Sequence, residues 1–217
     1  MTDVENRCRL VLILPEPDNE AELTRNLEHA LAGGDVATVI VPQYGLNDQP
    51  FQTLAEKIVP IIQKAGAAAL IAGDSRVAGR VKADGLHIEG GTTVLEDALA
   101  KFTPKMIVGA GGISERHTAL EIGELQPDYI FFGKPDGDIK PGPHPKNLAL
   151  GEWWASMVEI PCIVMGGSDL SCVTAVAEVG AEFVALRSAI FEYADGPKAA
   201  VFLANQLLAE KAPRFRA

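Results

Sequence analysis

The sequence predicts an α/β fold in which eight strands, each followed by a helix, close into a (β/α)8 TIM barrel. Two observations predict it. Short apolar runs rich in β-branched and aromatic residues alternate with amphipathic segments along the whole chain, as expected for strands buried on both faces of a parallel sheet. The length of 217 residues fits one barrel of roughly 200 to 250 residues. We therefore predict a single domain over residues 1–217, with an open doubly wound sheet as the alternative.

The predicted strands are short runs with few polar interruptions. The first reads RLVLIL, the second VATVIV and the sixth YIFF. Such runs are typical of parallel strands because helices on one face and the barrel interior on the other keep both faces away from water. In chain order they cover residues 9–14, 36–41, 68–72, 85–88, 106–110, 129–132, 161–165 and 183–186.

The predicted helices carry an apolar residue every three or four positions, which gives each of them one buried stripe. Glycines at Gly33-Gly34 end the first helix. Side chains that can cap a helix N-terminus stand at the start of three of the helices: Asp18 or Asn19, the run Ser114-Glu115-Arg116-His117, and Ser168-Asp169. In chain order the helices cover residues 20–31, 51–65, 75–82, 93–102, 114–125, 148–158, 170–179 and 197–209.

The composition limits the classes of ligand. There are 29 acidic and 19 basic residues, which gives a formal net charge of −10 and an isoelectric point near 4.9. Nucleic acids and anionic membranes both require clustered Lys and Arg, so neither partner is expected. The longest apolar stretch, residues 65–73, is far shorter than the about 20 residues of a membrane span. A small phosphorylated substrate is compatible with this negative net charge, because a single pocket of an acidic protein can still be positively charged.

The cysteines and the amino-terminal residues indicate in which cellular compartment the protein is expected. Cys8, Cys162 and Cys172 are odd in number and lack CxxC spacing, which is typical of buried thiols in a reducing environment. The apolar run after Arg9 is short and meets Pro15 without a cleavage pattern. We expect a cytoplasmic protein, and a homo-oligomer is possible.

Two loops at the end of the barrel predict an anion site. Active sites of barrels lie at the carboxyl ends of the strands. Gly166-Gly167 follow the seventh strand, and Arg187-Ser188 follow the eighth. Glycines let the backbone N–H groups approach an anion closely, and loops seven and eight form the usual phosphate site of barrels. In the alternative interpretation the two glycines only make a tight turn.

An acidic residue and a long loop complete the predicted site. Asp74, after the third strand, can bind Mg²⁺, which takes few protein carboxylates and keeps several waters; alternatively it caps the third helix, and Glu89 is a weaker candidate. Residues 133–147, with four prolines and three lysines, follow the sixth strand. A loop of that length at this position predicts a lid that brings Lys134 to the site.

The remaining motifs support no other site. The run 109–112 (GAGG) follows the fifth strand and not the first, with no acid after the next strand, so it indicates backbone room and not a dinucleotide site. His87 lies within the fourth strand, where a core or barrel-lining role is expected. The four histidines form no metal spacing and no triad.

Four stretches resemble one enzyme family over nearly the whole chain. They are GDSRVAGRVKADGLHI at 73–88, PDYIFFGKPDGDIKP at 127–141, IPCIVMGGSDL at 160–170 and VGAEFVALRSAI at 179–190. In these stretches the sequence resembles the thiamine phosphate synthase family, which includes thiazole tautomerase relatives.

The resemblance implies an enzyme that joins a pyrimidine methyl diphosphate to a thiazole phosphate with Mg²⁺ and releases pyrophosphate. It also implies that Gly166, Gly167 and Ser188 hold the thiazole phosphate, that Asp74 binds the metal, and that Lys140 on the loop after the sixth strand contacts the pyrophosphate.

Some positions depart from the family pattern. Members carry Gln-x-Arg-x-Lys at the end of the second strand, whereas residues 40–44 here read IVPQY. The second family aspartate falls near Thr92, and the Ser or His after the fifth strand falls on Ala110-Gly111. Two lost charge-assisted contacts cost roughly 3–6 kcal/mol. Three functions are therefore compatible: a synthase of reduced or altered activity, a non-catalytic binder of a phosphorylated thiazole-like molecule, or another phosphate-recognising barrel lyase or isomerase.

Overall fold

Eight parallel strands form a closed barrel in the computed structural model, which describes residues 6–215. The strands follow one another around the barrel in chain order, and β1 pairs with β8 from Arg9 opposite Phe183 to Leu12 opposite Leu186. Their bounds are β1 Arg9–Ile13, β2 Thr38–Pro42, β3 Ala68–Ala72, β4 Gly85–Ile88, β5 Ile107–Ile113, β6 Tyr129–Phe132, β7 Cys162–Met165 and β8 Phe183–Leu186. This confirms the predicted (β/α)8 barrel and excludes the open sheet.

A helix follows every strand, and one further short helix was not predicted. The bounds are α1 Glu20–Leu31, α2 Asp48–Lys64, α3 Ser75–Val81, α4 Gly91–Phe102, α5 Arg116–Glu124, α6 Pro145–Ala155, α7 Cys172–Glu178, α8 Ser188–Phe191 and α9 Pro197–Lys211. The extra helix is α8, a single turn directly after β8. Four residues are too few to show a helical period, so the pattern could not reveal it.

The capping residues that the sequence predicted are correct for one helix and partly wrong for two others. Asn19 accepts a hydrogen bond from the Glu22 N–H at 3.1 Å, as one of the two predicted capping residues of α1. Ser114 and Ser168 were wrong as caps, because α5 begins only at Arg116 and α7 only at Cys172. Their neighbours differ: Glu115 stands at the N-cap position of α5 without a side-chain hydrogen bond, whereas Asp169 accepts from the Ser171 N–H at 2.8 Å just before α7. Both loops continue past the predicted starts because β5 runs on to Ile113 and the loop after β7 is held by another segment, described below.

The core has two layers, as the pleat of β1 illustrates. Val11 and Ile13 face the barrel interior, while Leu10 and Leu12 face the surrounding helices. The outer layer is the larger one and includes Trp154, which is fully buried and donates from Nε1 to the Ile160 carbonyl at 2.8 Å. The two layers fix the strand ends rigidly, which positions the loops that follow them.

Within residues 6–215 no helix combines the length and apolar character that a bilayer span needs. The three cysteines are buried free thiols, as expected. Burial raises the pKa of Cys8 to about 12 and that of Cys172 to about 11.

Candidate functional site

The two predicted anion-binding loops lie side by side at one end of the barrel. β7 and β8 are paired in parallel, with Met165 opposite Ala185, so the residues after them emerge at the same edge. The Gly166 N–H donates to the Ala185 carbonyl at 2.9 Å. A Cβ at position 166 would lie 2.7 Å from a methyl carbon of Leu186 and 2.9 Å from Cys172 Sγ. A side chain at this position would have to push both buried groups aside, which favours glycine as the first residue of the pair.

A carboxylate of the chain itself lies against the donors that follow β8. Asp138 Oδ1 accepts from Arg187 at Nε (3.0 Å) and at Nη2 (2.7 Å). Asp138 Oδ2 accepts from the Ser188 N–H at 2.7 Å and from the Ser188 hydroxyl. We call the Arg187 guanidinium with the N–H and hydroxyl of Ser188 the anion nest. Asp138 is only 2% exposed, so the carboxylate is enclosed by the nest.

The ionised form of Asp138 is the one that the nest stabilises. Burial alone acts to raise the pKa of this carboxyl, but the hydrogen bonds from Arg187 and Ser188 and the charge of Arg187 outweigh it and lower the pKa below its usual value. A buried charge is tolerated only where such partners satisfy it. The nest therefore has the chemistry of an anion site.

The loop that carries Asp138 also covers the donors after β7. The Ser168 N–H donates to the Lys140 carbonyl at 2.8 Å, and the Asp169 N–H donates to the Pro141 carbonyl at 3.2 Å. A Cβ at Gly167 would lie 2.1 Å from the Pro141 carbonyl oxygen. The glycine is thus required for the close approach of this loop.

This loop lies within the predicted lid, residues 133–147, and ends where α6 begins at Pro145. We call residues 133–144 the lid. Lys134 and Lys140 are exposed on it, and the charge of Lys134 helps to lower the pKa of Glu89 after β4. The structure therefore brings Lys134, Lys140, Arg187, Ser188 and both glycines of the loop after β7 to one edge of the barrel.

Asp74 lies at the same end of the barrel but is engaged with its own helix. Its carboxylate accepts from the Arg76 N–H at 2.7 Å and caps α3, and it also pairs with the Arg76 guanidinium, Nε to Oδ2 being 2.9 Å. The side-chain hydrogen bond from Arg76, then the backbone one, lowers the pKa of Asp74. Residues 6–215 contain no group of three or more His, Cys, Asp or Glu side chains that could hold a metal ion. Asp74 therefore fits Mg²⁺ only as a single carboxylate ligand. Substrate phosphates and water would have to supply the other ligands of the metal ion.

The end of β2 contributes no Arg or Lys of its own, and hydrogen bonds hold its polar side chains in place. Gln43 Oε1 accepts from the Asp74 N–H at 3.1 Å, which ties β2 to the end of β3. The Tyr44 hydroxyl donates to the Leu14 carbonyl at 2.7 Å, and burial raises the pKa of Tyr44 to about 12. Two cations lie at this corner: Arg187 interacts with the Tyr44 hydroxyl and partly opposes the effect of burial on its pKa, and Arg76 bonds Asp48 at 3.3 Å.

A buried histidine in the barrel interior has a larger set of polar contacts than the sequence suggested. His87 Nδ1 lies 2.8 Å from the Tyr129 hydroxyl, and Nε2 lies 3.6 Å from Glu89 Oε1 without a hydrogen-bond partner. Interaction with His87 lowers the pKa of Glu89. A neutral ring that accepts at Nδ1 from the Tyr129 hydroxyl carries its proton on Nε2, which faces Glu89; the other tautomer would donate from Nδ1 to Tyr129 instead.

The glycine run 109–112 lies within β5, which is longer than predicted, and it explains how the two rings fit. A Cβ at Gly109 would lie 2.0 Å from the Tyr129 ring, and one at Gly111 would lie 2.5 Å from His87 Nε2. The run provides room for these rings at the floor of the site, in agreement with the interpretation of backbone room. The order of the strands could have revealed the contact between His87 and Tyr129. Gly109 of β5 lies between them, as the register partner of His87 on β4 and of Tyr129 on β6.

Comparison with known proteins identifies a family and agrees with the barrel fold. The family model described as thiamine monophosphate synthase matches residues 10–190. The thiamine-phosphate synthase of Hyphomonas neptunium is 33% identical over 216 residues, which cover 95% of this chain and 98% of that protein. The thiamine-phosphate synthase of Rhodospirillum centenum is 32% identical, with 96% and 99% covered. A thiamine phosphate pyrophosphorylase from Pyrococcus furiosus superposes with a TM-score of 0.77 at 20% identity, over 94% of this chain and 97% of that one, and so shares the fold.

Proposed function

The chain belongs to the thiamine monophosphate synthase family, and on this premise we propose that it joins a pyrimidine methyl diphosphate to a thiazole phosphate and releases pyrophosphate. The observation that carries the proposal is the anion nest. It presents a guanidinium, a hydroxyl and a backbone N–H to one anion at the end of β8, next to the loop after β7. This is the part of a barrel in which phosphate groups bind.

The reaction breaks one bond and forms one. The bond between the pyrimidine methylene carbon and the diphosphate oxygen breaks, and its electron pair leaves with pyrophosphate. The thiazole nitrogen then forms a new bond to that carbon with its lone pair. Since charge develops mainly on the departing diphosphate, the residues that matter most are the cations that face it.

The cations of this chain come from the lid and from α3. Lys134 and Lys140 are exposed on the lid, and we place Lys140 at the pyrophosphate. Arg76 is 69% exposed and lies beside Asp74, at the corner where β2 contributes no Arg or Lys. Each charge-assisted contact is worth about 1.5–3 kcal/mol, so these three residues can replace much of the missing pair.

Asp74 is the side chain that we assign to Mg²⁺. The metal supplies charge neutralisation of the diphosphate when it is bound. Asp74 also keeps the first turn of α3 in place, and Arg76 holds its carboxylate at the rim. Gly166 and Gly167 allow the thiazole phosphate to approach the backbone closely, while Ser188 and Arg187 donate to it.

The test is product formation by the purified protein. It is incubated with the pyrimidine methyl diphosphate, thiazole phosphate and Mg²⁺, and thiamine phosphate is measured together with released pyrophosphate. We expect both products in equal amounts. Lys140→Ala is expected to reduce the rate by about 10- to 100-fold, as the loss of one charge-assisted contact implies.

The matched control is Lys105→Ala. Lys105 is equally exposed but precedes β5, at the opposite end of the barrel, and its loss should leave the rate unchanged. If neither product forms although thiazole phosphate raises the melting temperature, the protein is a binder and the synthase proposal is wrong.

A further inference from the structure

Asp138 fills the anion nest, so a phosphorylated ligand meets donors that are already occupied by a carboxylate. We propose that Asp138 is an internal occupant of the nest, which a phosphate group must displace, together with the lid, in order to bind. The inference rests on the proposed use of the nest for the phosphate of the substrate.

The nest has room for one anion. The N–H and hydroxyl of Ser188 both donate to the same carboxylate oxygen of Asp138, and two nitrogens of Arg187 donate to the other. A phosphate that uses these donors has to take the place of the carboxylate. Two anions held side by side at a buried site would repel each other strongly.

Displacement of Asp138 also frees the second set of donors. Asp138 is two residues before Lys140, and the carbonyls of Lys140 and Pro141 accept from the N–H groups of Ser168 and Asp169. When the lid leaves, these N–H groups become available beside Gly167. The complete phosphate site, with donors after β7 and after β8, therefore exists only when residues 138–141 have moved off these donors, and the contact proposed for Lys140 with the pyrophosphate belongs to this displaced position of the lid.

Asp138 provides the buried side-chain contact of the lid, which is otherwise held by the backbone hydrogen bonds from Ser168 and Asp169. Between Lys134 and His144, Asp138 is the one buried residue, and Ile139 next to it is 82% exposed. Gly137 and Gly142 flank the segment that covers the nest. A segment with few buried apolar contacts opens at low cost, so exchange of Asp138 for a phosphate requires no rearrangement of the barrel.

Asp138 consequently sets the apparent affinity for phosphate. When only a fraction of the molecules has a free nest, the apparent dissociation constant exceeds the intrinsic one by the inverse of that fraction. A free fraction of about 1–10% corresponds to a 10- to 100-fold weaker apparent affinity. Removal of the carboxylate should recover this factor.

The first experiment measures binding of inorganic phosphate by isothermal titration calorimetry. We expect Asp138→Ala and Asp138→Asn to bind phosphate at least about tenfold more tightly than the unchanged protein. The control is Asp136→Asn, which removes the same charge from an exposed position of the same lid and should alter the affinity by less than about twofold. Equal affinities of the Asp138 variants and the Asp136 variant would overturn the proposal.

The second experiment follows the lid and does not depend on how well the Asp138 variants fold. Ile139→Cys in the otherwise unchanged protein is labelled with an environment-sensitive fluorophore, which is selective because Cys8, Cys162 and Cys172 are buried. We expect phosphate to change the fluorescence with a midpoint equal to the calorimetric dissociation constant. An unchanged signal at saturating phosphate contradicts displacement of the lid.

These experiments separate the inference from the proposed reaction. If no thiamine phosphate forms but Asp138→Ala still tightens phosphate binding, only the assignment of the reaction fails. If thiamine phosphate forms and Asp138→Ala brings no gain in phosphate affinity, only the displacement of Asp138 is wrong.

Discussion

The Tyr129 hydroxyl lies 2.8 Å from Nδ1 of His87, and both side chains are buried inside the barrel. Tyr129→Phe leaves His87 Nδ1 without this partner, so we expect a loss of about 1–3 kcal/mol in the free energy of unfolding. Urea denaturation measures it. In a double-mutant cycle with His87→Leu, Tyr129→Phe should cost much less in the His87→Leu background than in the unchanged protein. The histidine nitrogen that would lose its hydrogen-bond partner is already absent there. Additive losses would show that the pair does not interact.

The pH dependence of stability should carry a contribution from Asp138. Its pKa is lowered in the folded protein by Arg187 and Ser188, which outweigh its burial. The resulting stabilisation is present above the pKa of the unfolded chain, about 3.9, and is lost as the pH falls through the lower folded value. We expect the free energy of unfolding to fall more steeply in acid for the unchanged protein than for Asp138→Asn, as followed by circular dichroism. Asp136→Asn should keep the steep dependence; equal slopes in all three proteins would refute the assignment.

Asp74 combines two roles that one pair of variants can separate. Asp74→Ala removes the cap of α3 and should cost about 0.5–2 kcal/mol of stability. Asp74→Asn keeps a good capping side chain but loses the charge that a metal ligand needs. We expect Asp74→Asn to retain the melting temperature while the dependence of the rate on Mg²⁺ concentration shifts to higher values. A Mg²⁺ titration identical to that of the unchanged protein would restrict Asp74 to capping.

The adjacent tryptophans should differ sharply in their contribution to stability. Trp154 is fully buried, touches Phe132 edge to face at 6.1 Å between ring centroids, and hydrogen-bonds Ile160. Trp153 is only partly buried against the core. Trp154→Ala should cost about 3–5 kcal/mol, and Trp153→Ala, the matched control, clearly less in the same denaturation assay. Similar losses would contradict the packing described.

The thiols should resist alkylation in the folded protein. Burial raises the pKa of Cys8 to about 12 and that of Cys172 to about 11, and the thiolate is the reactive form. We expect no carboxymethylation by iodoacetamide at about pH 8, as read by mass spectrometry, and full modification after unfolding in guanidinium chloride. The exposed Ile139→Cys variant is the positive control. Rapid modification of the native cysteines would show that these sites open readily.

Strand and helix positions were predictable because they depend on local patterns. Apolar runs such as YIFF at β6 and the capped start of α1 are readable within a few residues of sequence. The wrong helix start at Ser168 has a tertiary cause. The backbone N–H groups of Ser168 and Asp169 donate to carbonyls of the lid, a segment almost thirty residues earlier in the chain. A capping side chain is thus a weak signal where another segment can supply the partner.

The sequence by itself determined the barrel, its family, and the edge at which Gly166, Gly167 and Ser188 meet, because parallel strands in known order place their carboxyl ends together. Only the tertiary structure decided that Asp138 fills the nest and that Gln43 accepts from the Asp74 N–H. Asp138 and Ser188 are 50 residues apart in the chain, and Asp138 stands among lid residues whose local pattern marks none of them as buried. The contact follows from the path of the lid across the barrel, which no period or motif along the chain encodes.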